Sequence, residues 1–177
     1  MSSSSPPSSS FITGATLEKS HDSVSADRPL TLNLSFKIEG AIREAFVQKN
    51  WEKAYNKHDN GFRMTIEAEV KSGRRTVAGP LKFVRKAALF WTRNPKIPYR
   101  IWVSIVKDDT PYYPLTVEEA QSLLFDVNKV IELPGADLAS GSHKLSCEIR
   151  VRWGKHEYAE PEEIRAKTNV VELRAVA

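Results

Sequence analysis

The sequence predicts a mainly β protein: an antiparallel, two-sheet β-sandwich with one or two short helices. Three segments, 30–38, 62–70 and 145–153, alternate apolar and polar residues with a period of two. This alternation is typical of strands that bury one face and expose the other. Predicted strands and turn residues recur about every ten residues, which favours a sandwich of short antiparallel strands.

The bulk composition fits one globular domain. The chain has 177 residues, 41% of them hydrophobic and 27% charged, which is ordinary for such a domain. No window approaches the length of apolar residues that a transmembrane helix needs. The N-terminus shows neither the basic nor the apolar region of a secretory signal, and the single cysteine forms no internal disulfide. These features predict a cytoplasmic protein without a membrane span.

The N-terminal segment has a different composition from the rest. Seven of the first ten residues are serine, and residues 1–28 contain few apolar side chains. Such a segment buries too little apolar surface to offset its ordering entropy. The sequence therefore predicts a disordered Ser/Pro-rich tail over 1–28 and a single β-sandwich domain over 29–177, beginning at Pro29.

The first half of this domain contains a strand, a helix and a hairpin. Leu30 to Ile38 alternates as a strand, and the apolar spacing over 41–57 changes to that of an amphipathic helix. Residues 62–70 form the next predicted strand. Residues 71–74 form a hairpin turn around Gly73, and a return strand runs over 75–86. Gly79-Pro80 interrupts that strand, which predicts an edge strand or a β-bulge.

The second half begins with a loop over 92–98 and a strand over 99–106 that is apolar on both faces, typical of a central position. The prolines of 108–114 predict a turn. Thr116 and Glu119 have the spacing of a capping box, which predicts a helix from Val117 to Phe125. Strands follow at 127–133 and 145–153, and an imperfect final strand covers 164–176.

The segment before the longest alternating strand resembles an immunoglobulin-like or fibronectin-type domain. It has the corner pattern Leu-x-x-Gly-x-His-x-Leu over 138–145, followed by a long strand, a polar loop and a final strand. The resemblance covers about forty residues of the C-terminal third and implies an immunoglobulin-like sandwich. The predicted helix at 41–57 and the lack of a cysteine pair depart from that pattern. Fold analogy implies no function.

No segment carries a catalytic or metal-binding signature. His143 is interpreted as a corner side chain bonded to nearby backbone, and Cys147 lies on the apolar phase of its strand, as a buried thiol would. His58 and His156 lie in polar loops and His21 in the predicted tail. Because nucleophile, zinc and phosphate-loop spacings are absent, we expect a non-enzymatic protein with no cofactor, no metal and no small-molecule substrate.

The charge distribution is uneven. Residues 62–107 contain eleven basic and two acidic residues, whereas 108–142 contain seven acidic residues and one lysine. Eight of these cations, with aromatic residues among them, form the predicted polyanion-binding set: Arg74, Arg75, Lys82, Arg85, Lys86, Arg93, Lys96 and Arg100. Cations beside aromatic faces are typical of single-stranded nucleic-acid binding. Alternatively, the aromatics belong to the core and the cations pair with the acidic block 108–137.

Two functions follow as hypotheses. The first is a protein-interaction or assembly module, an adaptor that binds a protein partner or itself through its opposed charge blocks. The second is nucleic-acid or other polyanion binding through the basic segment 71–100. Lys144, Arg150 and Arg152 extend this basic face if the strand over 145–153 lies in the same sheet.

Overall fold

A computed structural model describes residues 10–25, 27–48, 61–89, 102–134, 138–153 and 162–176. Its smaller sheet has three antiparallel strands in the order β1-β3-β8. These strands are β1 (Phe11–Lys19), β3 (Leu30–Glu39) and β8 (Asp126–Leu133). The β3 register places Leu34 opposite Lys129 on one side and Leu17 on the other.

The larger sheet has eight strands in the order β2-β11-β9-β4-β5-β6-β7, with β10 also beside β9. Its strands are β2 (Ser23–Val24), β4 (Gly61–Ser72), β5 (Arg75–Leu89), β6 (Trp102–Lys107), β7 (Thr110–Thr116), β9 (Gly141–Trp153), β10 (Glu162–Lys167) and β11 (Val171–Ala175). β2 runs parallel to β11, and the other pairings described are antiparallel.

The apolar phases of both sheets share one hydrophobic core. Helix α1 (Ala41–Gln48) and helix α2 (Val117–Phe125) add to it. Phe46 from α1, Phe62 from β4 and Phe125 from α2 meet edge to face, with ring centroids 5.4–5.7 Å apart. Such aromatic contacts contribute beyond the area that they bury. Within the described residues, no helix is long and apolar enough to cross a membrane.

The strongest sequence patterns are confirmed. The chain is mainly β, and the alternation of β3, β4 and β9 places their apolar residues in the core. α2 covers the predicted residues, and the Thr116 hydroxyl accepts a hydrogen bond from the Glu119 N–H at 3.2 Å and donates one to the Glu119 carboxylate at 2.9 Å. Gly73 has a φ of +62° in the hairpin turn. The helix predicted over 41–57 is confirmed for 41–48, and the rest of that range lies outside the described residues.

The prediction of a disordered tail is wrong for residues 11–24. β1 pairs with β3 along most of its length, β2 pairs with β11, and Leu17 and Val24 are each 1% exposed. The folded domain therefore begins well before Pro29. The segment has few apolar residues, but its partner strands supply the hydrogen bonds and the core that it lacks alone. Residues 1–9 lie outside the described range.

Two further predictions need correction, and a third is confirmed. Residues 110–116 form strand β7 on the edge of the larger sheet, so the turn is limited to Asp108 and Asp109. The prediction of an edge strand or a β-bulge at Gly79-Pro80 is confirmed, because the register shifts there and this part of β5 has β4 as its only partner; residues 85–88 pair with both β4 and β6. The final strand is two strands, β10 and β11, on the same side of β9.

The break between β10 and β11 joins the two sheets. The Thr168 hydroxyl accepts a hydrogen bond from the Cys147 N–H at 2.9 Å, and the Thr168 N–H donates to the Cys147 carbonyl at 3.0 Å. The Asn169 amide pairs with the main chain of Leu17 in β1, accepting at 2.8 Å and donating at 3.1 Å. One side chain thereby takes the place of a residue in a β-ladder.

Candidate functional site: the charged outer face of the large sheet

The solvent side of strands β10, β9, β4 and β5 is covered by charged side chains. Because directly paired residues lie on the same face of a sheet, the register defines rows across these strands. One row runs Arg165, Arg150, Glu67, Lys82. We call the whole set the charged outer face; its members are Arg63, Glu67, Glu69, Lys71, Lys82, Lys86, Glu148, Arg150, Arg152, Glu163, Arg165 and Lys167.

Three arginines of this face surround one carboxylate. Nε of Arg150 and Nε of Arg152 lie 3.1 and 3.3 Å from Glu163 Oε1, and Nη2 of Arg165 lies 3.3 Å from Oε2. Partial desolvation would raise the pKa of Glu163, but hydrogen bonds from Arg165 and Arg152 reverse this effect and hold the pKa below its ordinary value. We call Arg150, Arg152 and Arg165 the arginine cradle. One carboxylate balances only one of its three positive charges.

A surface cleft of about 350 Å³ adjoins the cradle. Arg150, Arg165 and Lys167 line it together with three glutamates of β4 and β9. Of these, Glu148 is already paired with Lys71 at 3.0 Å and with Lys167 at 3.9 Å. Glu69 accepts a hydrogen bond from the Thr76 hydroxyl. Two of the three glutamates in the cleft therefore have partners, and the third, Glu67, lies opposite Arg150 and Lys82 in the register.

Three other cations have no such partner. Arg63 and Lys86 lie directly opposite each other on β4 and β5, and Lys82 lies two outward rows further along β5, opposite Glu67. All three are exposed, and no ion pair joins them to a described acid. Like charges directly opposite one another in a sheet are unfavourable, and an added anion would relieve this repulsion. The excess positive charge therefore lies at the Arg63–Lys86 end of the face and at the cradle.

The structure separates the eight cations that the sequence grouped together. Arg74 and Arg75 lie exposed at the tip of the β4–β5 hairpin. Lys82 and Lys86 lie on the charged outer face; Lys86 is about 36 Å along the strand from the tip, at 3.3 Å per residue. Arg93, Lys96 and Arg100 lie outside the described residues. The expected extension by Arg150 and Arg152 is confirmed, because β9 pairs with β4, whereas Lys144 is exposed nearer the other end of β9.

Among the described cations of the predicted polyanion-binding set, Arg85 is the one that does not lie on the surface. Its assignment to that set is therefore corrected. Its side chain is 0% exposed. Nη1 donates to the carbonyl oxygens of Leu123, Leu124 and Asp126 at 3.1, 2.9 and 3.3 Å. Nε lies 3.6 Å from Asp108 Oδ1. Burial lowers the pKa of the guanidinium, and Asp108 opposes this shift. Arg85 caps the C-terminal end of α2 from inside the protein.

The aromatic residues of these strands do not accompany the exposed cations. Phe62, Phe83 and Trp153 all point into the core, at 8%, 7% and 4% exposure. For Phe83, this agrees with the alternative that the sequence left open, in which aromatics at strand positions are core residues; Phe90, Trp91 and Tyr99 of the basic segment lie outside the described residues. The described part of the charged outer face has no aromatic side chain on which a base would stack.

The two candidates for side-chain chemistry have structural roles. Nε2 of His143 donates to the Ala139 carbonyl within the predicted corner, and its Nδ1 lies 3.0 Å from the Ser72 hydroxyl oxygen. Cys147 is 0% exposed, and burial raises the pKa of its thiol to about 11. Both structural interpretations are confirmed. His21 is exposed, and His58 and His156 lie outside the described residues. No cluster of three or more metal-ligating side chains occurs among the residues described.

Comparison with known proteins gives no match: no protein family fits the chain, and no curated protein or solved structure resembles it significantly. The charged outer face must therefore be interpreted from its own geometry.

Proposed function

We propose that the protein is a non-enzymatic interaction module, built on an immunoglobulin-like two-sheet β-sandwich, that docks an acidic surface of a partner protein. The observation that carries this proposal is the charged outer face, whose basic residues outnumber the acidic ones and lie on four neighbouring strands. Complementary charge of this kind steers encounter and sets the register of docking. The cytoplasmic location remains a prediction.

The sheet edges support docking through a face rather than by addition of a strand. Edge strand β8 has Lys129 on its inward phase, with Nζ 5.1 Å from the Phe83 ring centroid. β7 carries Pro111, which offers no N–H donor, and β5 is distorted at Pro80 where β4 is its only partner. β2 is two residues long. Inward charges, prolines, bulges and short strands are the means by which proteins prevent edge pairing.

The same face fits an acidic protein better than a nucleic acid. Single-stranded nucleic acids bind through cations combined with stacking aromatics, and the described aromatics of β4, β5 and β9 are buried. Three arginines of the face already contact a carboxylate, that of Glu163, which is the group that an acidic protein surface presents. Nucleic-acid binding is the second candidate, and the exposed Arg74 and Arg75 of the hairpin tip support it.

Fluorescence anisotropy with two labelled probes distinguishes the candidates. The probes are a decaglutamate peptide and an oligothymidylate of similar charge, each titrated at about 20 mM and about 150 mM salt. We expect the peptide to bind and its affinity to fall with salt, since the contacts are exposed ion pairs. The variant K82E/K86E is expected to weaken peptide binding about tenfold or more, because two exposed positive charges become negative.

The matched control is R28E/K37E, which reverses two exposed cations away from the charged outer face. It makes the same change in net charge and is expected to leave most of the affinity intact. Equal losses in the two double variants, or no peptide binding at low salt, would contradict the proposal. Stronger binding of the oligothymidylate, lost in R74E/R75E, would favour the second candidate. Light scattering at several ionic strengths separately tests whether the acidic partner is a second copy of the chain.

A further inference from the structure

We infer that the arginine cradle is the anchoring subsite for a carboxylate of the acidic partner, and that Glu163 is an internal counter-ion that this carboxylate displaces. The inference rests on the proposed function and specifies where the partner binds. It commits to an acidic segment of a protein, the occupant that is complementary in charge to the face.

The geometry of the cradle fits a carboxylate. Arg150 and Arg152 approach one oxygen of Glu163 through Nε, and Arg165 approaches the other through Nη2. Guanidinium groups recognise planar carboxylates through such paired donors. The side chains of Arg152 and Arg165 are 57% and 67% exposed, so much of their donor surface faces solvent. The bound carboxylate of Glu163 thus shows which group the cradle accepts.

Glu163 is also placed so that it can be displaced. It lies on β10, a strand whose pairing partner is β9, and all of its ion pairs are made by arginines that are at least 37% exposed. Ion pairs in such surroundings are weak, because solvent screens the attraction between their charges. The adjoining cleft, lined by Arg150 and Arg165, gives an incoming chain access to the cradle from the side of β4. An external carboxylate then competes with the internal one for the same donors.

The test compares E163Q with E172Q in the decaglutamate titration. Both substitutions remove one negative charge from the same sheet, but Glu172 lies on β11, where it pairs with Lys144 near the other end of β9, away from the cradle. If Glu163 competes with the partner, E163Q binds about three- to tenfold more tightly, as expected for loss of one charge a few ångströms from the ligand, and E172Q changes little. Equal effects of the two variants, or weaker binding by E163Q, would overturn the inference.

A second pair of variants keeps the test valid if E163Q folds poorly, which thermal unfolding would reveal. R165Q is expected to weaken peptide binding about threefold or more, whereas R174Q, at an exposed arginine of β11, leaves it unchanged. Equal effects of R165Q and R174Q would refute the cradle as the subsite. If K82E/K86E still weakens binding in that case, the proposed function stands and only the position of the anchor is wrong. A gain for oligothymidylate equal to the peptide's gain in E163Q would overturn the choice of an acidic protein segment.

Discussion

Replacing Arg85 by methionine is expected to lower the free energy of unfolding by about 3 kcal/mol, because breaking a buried ion pair from one side costs about 3–5 kcal/mol. Arg85 is fully buried, and its Nη1 serves three main-chain carbonyls at the C-terminal end of α2. Without it, those carbonyls lose a donor at a net cost of about 1 kcal/mol per hydrogen bond. Asp108 also keeps its charge with no cation beside it.

Urea unfolding followed by tryptophan fluorescence measures this loss, since Trp153 is 4% exposed in the folded state. K86M is the matched control: it also replaces a cation of β5 with methionine, one residue further along and at an exposed position, and is expected to change stability by less than about 0.5 kcal/mol. Adding D108N to R85M should recover about 1 kcal/mol, because it removes the unpaired charge. If R85M costs less than about 1 kcal/mol, or if D108N costs the same with and without Arg85, the reasoning fails.

Three other predictions concern Cys147, the β6–β7 turn and Asn169. Because burial raises the pKa of the Cys147 thiol to about 11, the folded state retains a proton that the unfolded state loses at lower pH. The free energy of unfolding should therefore fall as the pH rises from about 9 towards 11, and C147A should abolish this fall in urea unfolding measured at several pH values. A thiol reagent that labelled the native protein rapidly at neutral pH would contradict this burial. Asp108 and Asp109 both have positive φ, at 51° and 69°, a conformation that favours glycine in two-residue hairpin turns. D109G should therefore raise the free energy of unfolding by about 0.5 kcal/mol, whereas D108G should lower it because it removes the partner of Arg85. Effects of the same sign in the two variants would count against the assigned turn. N169A should lower the free energy of unfolding by about 2 kcal/mol, since two main-chain groups of Leu17 lose their partner. The exposed control N33A should change it by less than about 0.5 kcal/mol. Similar effects of the two variants would rule out a structural role for Asn169.

The parts of the fold that were predicted correctly are those whose local signals agree with their surroundings. β9 alternates over its length because one face meets the core and the other meets water. The start of α2 was predicted because a capping box is a local hydrogen-bond arrangement that needs no other part of the chain. β1, β2 and β7 were missed because they depend on partner strands distant in sequence, and composition alone does not reveal such partners.

The charged outer face was only partly predictable. Grouping cations by their closeness in sequence combined the hairpin tip, the core and the face, although a strand sends successive side chains to opposite sides. Phe83, Arg85 and Ala87 form one apolar phase, and that period already places Arg85 inward. Arg63, Arg165 and Glu163 needed the register of β4, β9 and β10, which no local pattern contains.

The pairing of Asn169 with Leu17 has a consequence for the order in which the chain is synthesised. β1 finds its first partner, β3, after a short connection, but Asn169 follows Leu17 by 152 positions. On the ribosome, β1 and β3 are therefore complete long before the side chain that ties β1 to the larger sheet has been made. During that interval, the second edge of β1 is expected to be open to pairing with other chains. Slower translation or added chaperone is therefore expected to change the yield of folded protein, which expression of the soluble protein measures.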